Sequence, residues 1–229
     1  MIDSSKKVGE LVAEHYQAAK VFKKYGIDFC CGGGKTVAEA CAAKNVPLND
    51  FQRNLQEALS QKNGSSAMNA NRWSPAFLAD YIEQEHHTYV RETMPAILKY
   101  AQKVAKVHCD SIPASKEILV LFQALAHDLT VHLTDEEKNV FPVIRKKYAG
   151  ISVDVNEFKQ AIESLEADHE TAGTIMKRIR SITKDFTPPE FACNTVRVLY
   201  KLQEEFEGDP HHHVHLENNV LFPKVASYR

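Results

Sequence analysis

Apolar residues recur at intervals of three and four along most of this chain, the spacing of one face of an α-helix. Phe158, Ile162, Leu165, Ala172, Met176 and Ile179 form one such stripe. Phe122, Leu125 and Leu129 form a second, continued by Val140 and Val143; Val90, Met94, Ile97, Ala101 and Val104 form a third; Leu199, Leu202 and Phe206 mark a fourth. These stripes predict four long helical segments, roughly 75–106, 115–147, 155–183 and 190–226. They are separated by Pro113, by Gly150 and by the pair Pro188 and Pro189. Few runs alternate with strand period, so the expected class is all-α, with the four segments packed as an up-down bundle.

The first sixty residues follow a different pattern, that of short helices around a glycine turn. One helix is expected over Val8–Tyr25, a second from Thr36, where Thr36-Val37-Ala38-Glu39 has the capping-box form, and a third over Asp50–Gln61. The polar, small-residue run that follows reads as a linker. The expected organisation is a small helical domain over 1–61, a linker over 62–73, and a bundle over 74–229.

The bundle carries an internal repeat. His132-Leu133-Thr134-Asp135-Glu136 is followed after four residues by Phe141-Pro142, and His213-Val214-His215-Leu216-Glu217 after four residues by Phe222-Pro223. His87 precedes His132 by 45 residues and His169 precedes His213 by 44, so each half of the bundle supplies one lone histidine and one His-x-x-x-Glu. Residues four apart lie one turn apart on nearly the same helix face. His87, His132, Glu136, His169, His213 and Glu217 all fall on the apolar stripes, with no Lys or Arg on those stripes to pair the glutamates. Buried carboxylates cost several kcal/mol unless paired or metal-bound. The alternative, six unrelated buried polar residues, does not explain the repeat.

Four imidazoles and two carboxylates are too many ligands for one tetrahedral zinc. Two glutamates can bridge two ions, each ion taking two histidines, with room for a bridging oxide or hydroxide. Mixed nitrogen and oxygen ligation without thiolate suits iron or manganese, and iron is favoured. Asp128, four residues before His132, and Asp168, beside His169, are placed to orient imidazoles. Asp209 reads either as an echo of that pattern or, with Pro210 after it, as a helix N-cap. His86, His211, His212 and His215 lie off the stripes and are left out of the ligand set.

Composition narrows the setting. A net charge of −2 gives no electrostatic case for nucleic acid, and no apolar run is long enough to span a bilayer. The start lacks a signal-peptide apolar region. The 5 cysteines are odd in number and scattered, so a reducing, cytoplasmic location is expected. Gly33-Gly34-Lys35-Thr36 fails as a phosphate loop because Phe29 stands where its first glycine belongs. Cys30 and Cys31 sit just before a capped helix with a lysine nearby, conditions that lower thiol pKa. They read as a redox-active or ligand-transferring pair, against the plainer reading of two small residues at a tight turn.

Tyr25-Gly26-Ile27-Asp28-Phe29-Cys30-Cys31-Gly32-Gly33, with Leu216-Glu217-Asn218-Asn219-Val220-Leu221-Phe222-Pro223 at the far end, resembles the bacterial repair-of-iron-centres proteins, the YtfE/ScdA family. The resemblance covers nearly the whole chain. It implies a hemerythrin-like di-iron bundle behind a cysteine-bearing domain, with both glutamates bridging and Cys30 and Cys31 as the functional thiols. It also implies repair of iron–sulfur clusters damaged by nitrosative or oxidative stress, through reduction of nitric oxide to nitrous oxide, donation of iron, or both. The implied partners are nitric oxide or another small diatomic ligand, damaged iron–sulfur proteins and an unidentified reductant, with room left for a homodimer. The alternative is a hemerythrin-type oxygen carrier or sensor, but such carriers resemble this bundle with a further histidine four residues after His169, where Gly173 stands here. The Gly208-Asp209-Pro210 run departs from a regular helix and is expected to kink the last segment.

Overall fold

The computed structural model describes residues 3–60 and 69–227, and it is helical throughout, apart from turns and a single bridge pairing Lys7 with Thr36. The amino-terminal unit comprises α1 (Val8–Glu14), α2 (Ala18–Lys24), α3 (Val37–Ala43) and α4 (Leu48–Ser60). Val8, Val12, Phe22, Val37, Phe51 and Leu55 form its fully buried centre. Thr36 and Glu39 close the expected capping box: Thr36 N donates to Glu39 Oε2 at 2.8 Å and Glu39 N to Thr36 Oγ1 at 3.2 Å.

The single helix expected over Val8–Tyr25 is two helices. The backbone leaves the helical region at His15 (φ −138°), and the ring of Tyr16 turns to pack on His212, centroids 4.1 Å apart. A contact with the bundle overrides a continuous local pattern. The third helix begins at Leu48, earlier than expected, and most of the expected linker lies outside the described residues.

The four long segments form the bundle. The first is α5 (Pro75–Tyr81) joined to α6 (Thr88–His108) through a π turn at Ile82–His87. Ser74 caps α5 through Phe77 N, and Pro75 occupies the first turn, where its missing N–H costs nothing. The second is α7 (Ala114–Asp135), a π turn at Glu136–Val140, and α8 (Phe141–Tyr148). The third is α9 (Val155–Ile182). The last is α10 (Asn194–Leu216), a π turn at Glu217–Leu221, and α11 (Phe222–Ser227).

Two apolar clusters fill the interior, one including Ile97, Ile118, Phe122, Leu199 and Phe206, the other Leu78, Ile82, Phe141, Ile144 and Leu221. Along every segment the boundary between the clusters falls at the expected polar residues: His87, His132 with Glu136, His169, and His213 with Glu217. All six are at most 4% exposed.

The N-cap reading of Asp209 is corrected by the structure, because α10 runs through Gly208, Asp209 and Pro210. An interior proline removes a backbone hydrogen bond and costs about 3 kcal/mol. Here it is offset by packing, since Pro210 is buried and Asp209 is held by His86, which donates from Nδ1 to Asp209 Oδ1 at 2.8 Å.

The amino-terminal unit docks on the bundle. Phe29 meets His211 and His215 edge-on, Lys177 Nζ donates to Asp28 Oδ2 at 2.8 Å, and Asn219 Nδ2 donates to the Cys30 carbonyl at 2.9 Å. A Cβ at Gly9 or Gly33 would collide with the Asn219 side chain, so both positions require glycine for this approach.

Candidate metal centre

The six bundle residues converge as two groups that share both carboxylates: His87, His213, Glu136 and Glu217 on one side, and His132, His169, Glu136 and Glu217 on the other. Each glutamate turns one oxygen to each group. Glu136 Oε2 lies 3.3 Å from His87 Nε2, and Oε1 lies 3.2 Å from His132 Nε2. Glu217 Oε1 lies 3.1 Å from His213 Nε2, and Oε2 lies 3.2 Å from His169 Nε2. Two ligands each about 2.1 Å from one ion and at right angles to each other stand about 3 Å apart.

Proximity here is not hydrogen bonding. All four carboxylate oxygens, together with Nε2 of His87 and of His213, are buried without a partner in hydrogen-bond geometry. Buried polar atoms are rarely left so. His132 Nε2 and His169 Nε2 face each other at 3.0 Å, while Nδ1 of each points to an oxygen acceptor, Asp168 Oδ2 at 3.3 Å and Asn218 Oδ1 at 2.9 Å. With the proton on Nδ1, both Nε2 atoms present lone pairs to one point, which a cation relieves. The residues present fit a bound metal of the iron or manganese type.

Electrostatics agree. Burial raises the cost of charge on Glu217, yet His213 and His169 hold its carboxyl well below the usual range. Burial would depress His132 as well, but the adjacent Glu136 pushes it up to about 9. The pocket thus favours positive charge between its carboxylates.

Cys30 is buried and Cys31 half-buried, and both are free thiols. They line a cavity of about 30 Å³ together with His132, Asp168, His169 and Gly173, room for one or two water-sized molecules. Asp128 lines the same cavity. The expectation that a nearby lysine and helix lower both thiols holds for one only. Cys31 is lowered, first by the adjacent Cys30 thiol. Cys30 is raised, by that same pairing and by burial, and its one S–H donates to Asp28 Oδ1 at 3.0 Å. The cation nearby is Lys177 of α9 rather than Lys35.

Two positioning residues escape the stripe pattern. Glu137 and Asn218, each directly after a motif glutamate, accept hydrogen bonds from His87 Nδ1 (2.7 Å) and His169 Nδ1 (2.9 Å). Aligning the two repeat copies would have placed them at the same register. Among the described residues the off-stripe histidines belong to neither converging group; His211, His212 and His215 pack against the amino-terminal unit, and His86 packs between Tyr81 and His212.

The hemerythrin HHE cation-binding domain matches residues 79–225, and ScdA_N, a domain of unknown function, matches residues 4–59. The iron–sulfur cluster repair protein ScdA of Staphylococcus haemolyticus is 33% identical over 226 residues, 99% of this chain and 100% of that protein. The chain belongs to the ScdA/YtfE family. The iron–sulfur cluster repair protein YtfE of Pectobacterium carotovorum is 33% identical, covering 95% of both chains, and a probable iron–sulfur cluster repair protein of Haemophilus influenzae is 32% identical, covering 98% of both. As a member of this family, the chain places its cation-binding domain over the segments that carry the six converging side chains. No helix among the described residues is long and apolar enough to cross a membrane.

Proposed function

We propose that the bundle holds two iron ions, the first by His87 and His213, the second by His132 and His169, with Glu136 and Glu217 bridging. The protein repairs iron–sulfur clusters damaged by nitrosative or oxidative stress, in the cytoplasm. The observation that carries this reading is the sharing of both buried, unpartnered carboxylates by two imidazole pairs, beside a small cavity faced by Cys31. The names of the relatives, iron–sulfur cluster repair proteins, support it.

A bound di-iron centre supplies one-electron chemistry toward a small ligand such as nitric oxide, and a reservoir of iron. The chain's own residues do the rest. Glu137 and Asn218 fix His87 and His169 with Nε2 turned inward. Leu129, Ala172 and Met176 give the cavity an apolar wall that admits an uncharged diatomic molecule. Asp128 and Asp168 stand at that cavity as proton donors and acceptors. Cys31, the lowered thiol, faces it as the group able to take or pass metal.

The oxygen-carrier alternative asks for another imidazole at Gly173, which lines the cavity with no side chain. The decisive experiment is iron analysis of anaerobically purified protein, then nitric oxide consumption and restoration of a damaged cluster protein by the diferrous form. Two irons per chain with either activity are expected. One tightly held zinc with no iron uptake overturns the reading.

A further inference from the structure

The residue after each motif glutamate reaches the same atom in its own half of the bundle, Glu137 at His87 Nδ1 and Asn218 at His169 Nδ1. The positions are equivalent; the chemistry is not. Glu137 is anionic and is gripped by Arg91 through two N–H groups, at 2.6 and 3.0 Å. Asn218 is neutral. The other imidazole of that second pair, His132, has Asp168 at 3.3 Å, a carboxylate 57% exposed and correspondingly screened. A carboxylate partner makes a ligating imidazole more basic and fixes its ring, and loss of such a partner typically costs about 10–100-fold in metal affinity. Access has the same polarity. Both imidazoles of the second pair line the cavity with Cys31; of the first pair only His213 does, and His87 is wholly buried outside its lining.

We propose that the two metal positions are unequal: the His87/His213 position retains its iron, and the His132/His169 position exchanges it through the cavity beside Cys31. The inference rests on the two-iron reading above. The step is ligand exchange. Fe²⁺ keeps its oxidation state; its bonds to His132, to His169 and to one oxygen of each glutamate break, and bonds to the acceptor's ligands replace them. Glu136 and Glu217 keep their bonds to the retained ion. No oxidant or reductant enters.

The test is transfer of iron from the full-length diferrous protein to excess ferrous chelator, followed in time. Two phases are expected, the first iron leaving at least about tenfold faster than the second. Glu137→Gln keeps the side-chain shape and removes its charge. It should accelerate the slow phase by about 10–100-fold and leave the fast phase unchanged. Asn218→Asp adds the missing anion and should slow the fast phase by about tenfold. Mössbauer spectra of the singly loaded wild-type protein should match one of the two signals of the loaded form, and Glu137→Gln should alter that signal selectively. Release of both irons at one rate, or acceleration of only the fast phase in Glu137→Gln, overturns the inference alone. A chain that takes up a single iron overturns the two-iron reading with it.

Discussion

Asn219, on the π turn that carries Glu217, donates its side-chain amide to the backbone carbonyl of Cys30 at 2.9 Å. The thiol-bearing turn is therefore tied to the helix that carries Glu217, a carboxylate shared by both converging groups, two residues from it. Gly9 and Gly33 close on the same side chain. Gly33→Ala should force this contact apart and lower the thermal stability of the full chain by about 1–3 kcal/mol, with iron content kept. Equal melting of variant and wild type would show that the turn is not seated there.

Both shared carboxylates are expected to be indispensable to metal loading. Glu136→Ala or Glu217→Ala removes a ligand from both groups at once, so each variant should lose most of its bound iron. His132→Ala, which touches one group, should lose about half on the two-iron reading. Full loading in either glutamate variant, measured by metal analysis on folded protein, contradicts the bridging arrangement.

Docking of the amino-terminal unit has a pH signature. Burial works to raise Asp28, but Lys177 and the Cys30 thiol hold its carboxyl well below the ordinary range. A depressed folded pKa contributes stability that is present in full above the unfolded aspartate value, about 3.9, and is lost as pH falls further toward the folded value. Lys177 is largely exposed, so the contribution is discounted to about 1 kcal/mol. Wild type should melt above Asp28→Asn from pH 5 to 8, and the gap should close in stronger acid. A gap independent of pH rules out this origin.

Gly173 offers a direct probe of the cavity. A Cβ there meets nothing within 4 Å, so the residue is not kept small by a neighbouring backbone. Gly173→His should fold, keep its iron, and react more slowly with nitric oxide because the imidazole fills the space beside His169. An unchanged rate in folded, loaded variant would restore weight to the oxygen-carrier alternative.

Replacing Cys30 and Cys31 together by Ser should leave iron content alone and weaken cluster repair. Neither thiol belongs to the two converging groups, yet both line the cavity over them. Unchanged repair returns the pair to the plainer reading of small residues at a turn.

The bundle and its six converging residues were legible because both follow one rule, helical periodicity, and the repeat states it twice. His132 and Glu136 need only their spacing to be placed on one face. What the stripes could not show depends on contacts between distant segments. The break at His15 comes from Tyr16 meeting His212, almost two hundred positions away. The continuity of α10 through Pro210 rests on burial and on His86, and the cation beside the cysteines comes from Lys177 rather than from the adjacent Lys35. Local sequence carries no record of such partners.

The three π turns bear on how such a protein can change. Each accommodates one more residue than an α-helical turn would, at the point where a ligand motif ends or begins. A helix rotates about 100° per residue. Wound as a regular α turn with no residue removed, Glu136–Val140 would therefore swing Phe141 and Ile144 off the core face while leaving the His-x-x-x-Glu spacing intact. The reading frame of the bundle is set by these turns as much as by its ligands. Homologous chains that lack one residue here should close the turn as regular α-helix and keep both flanking faces in register.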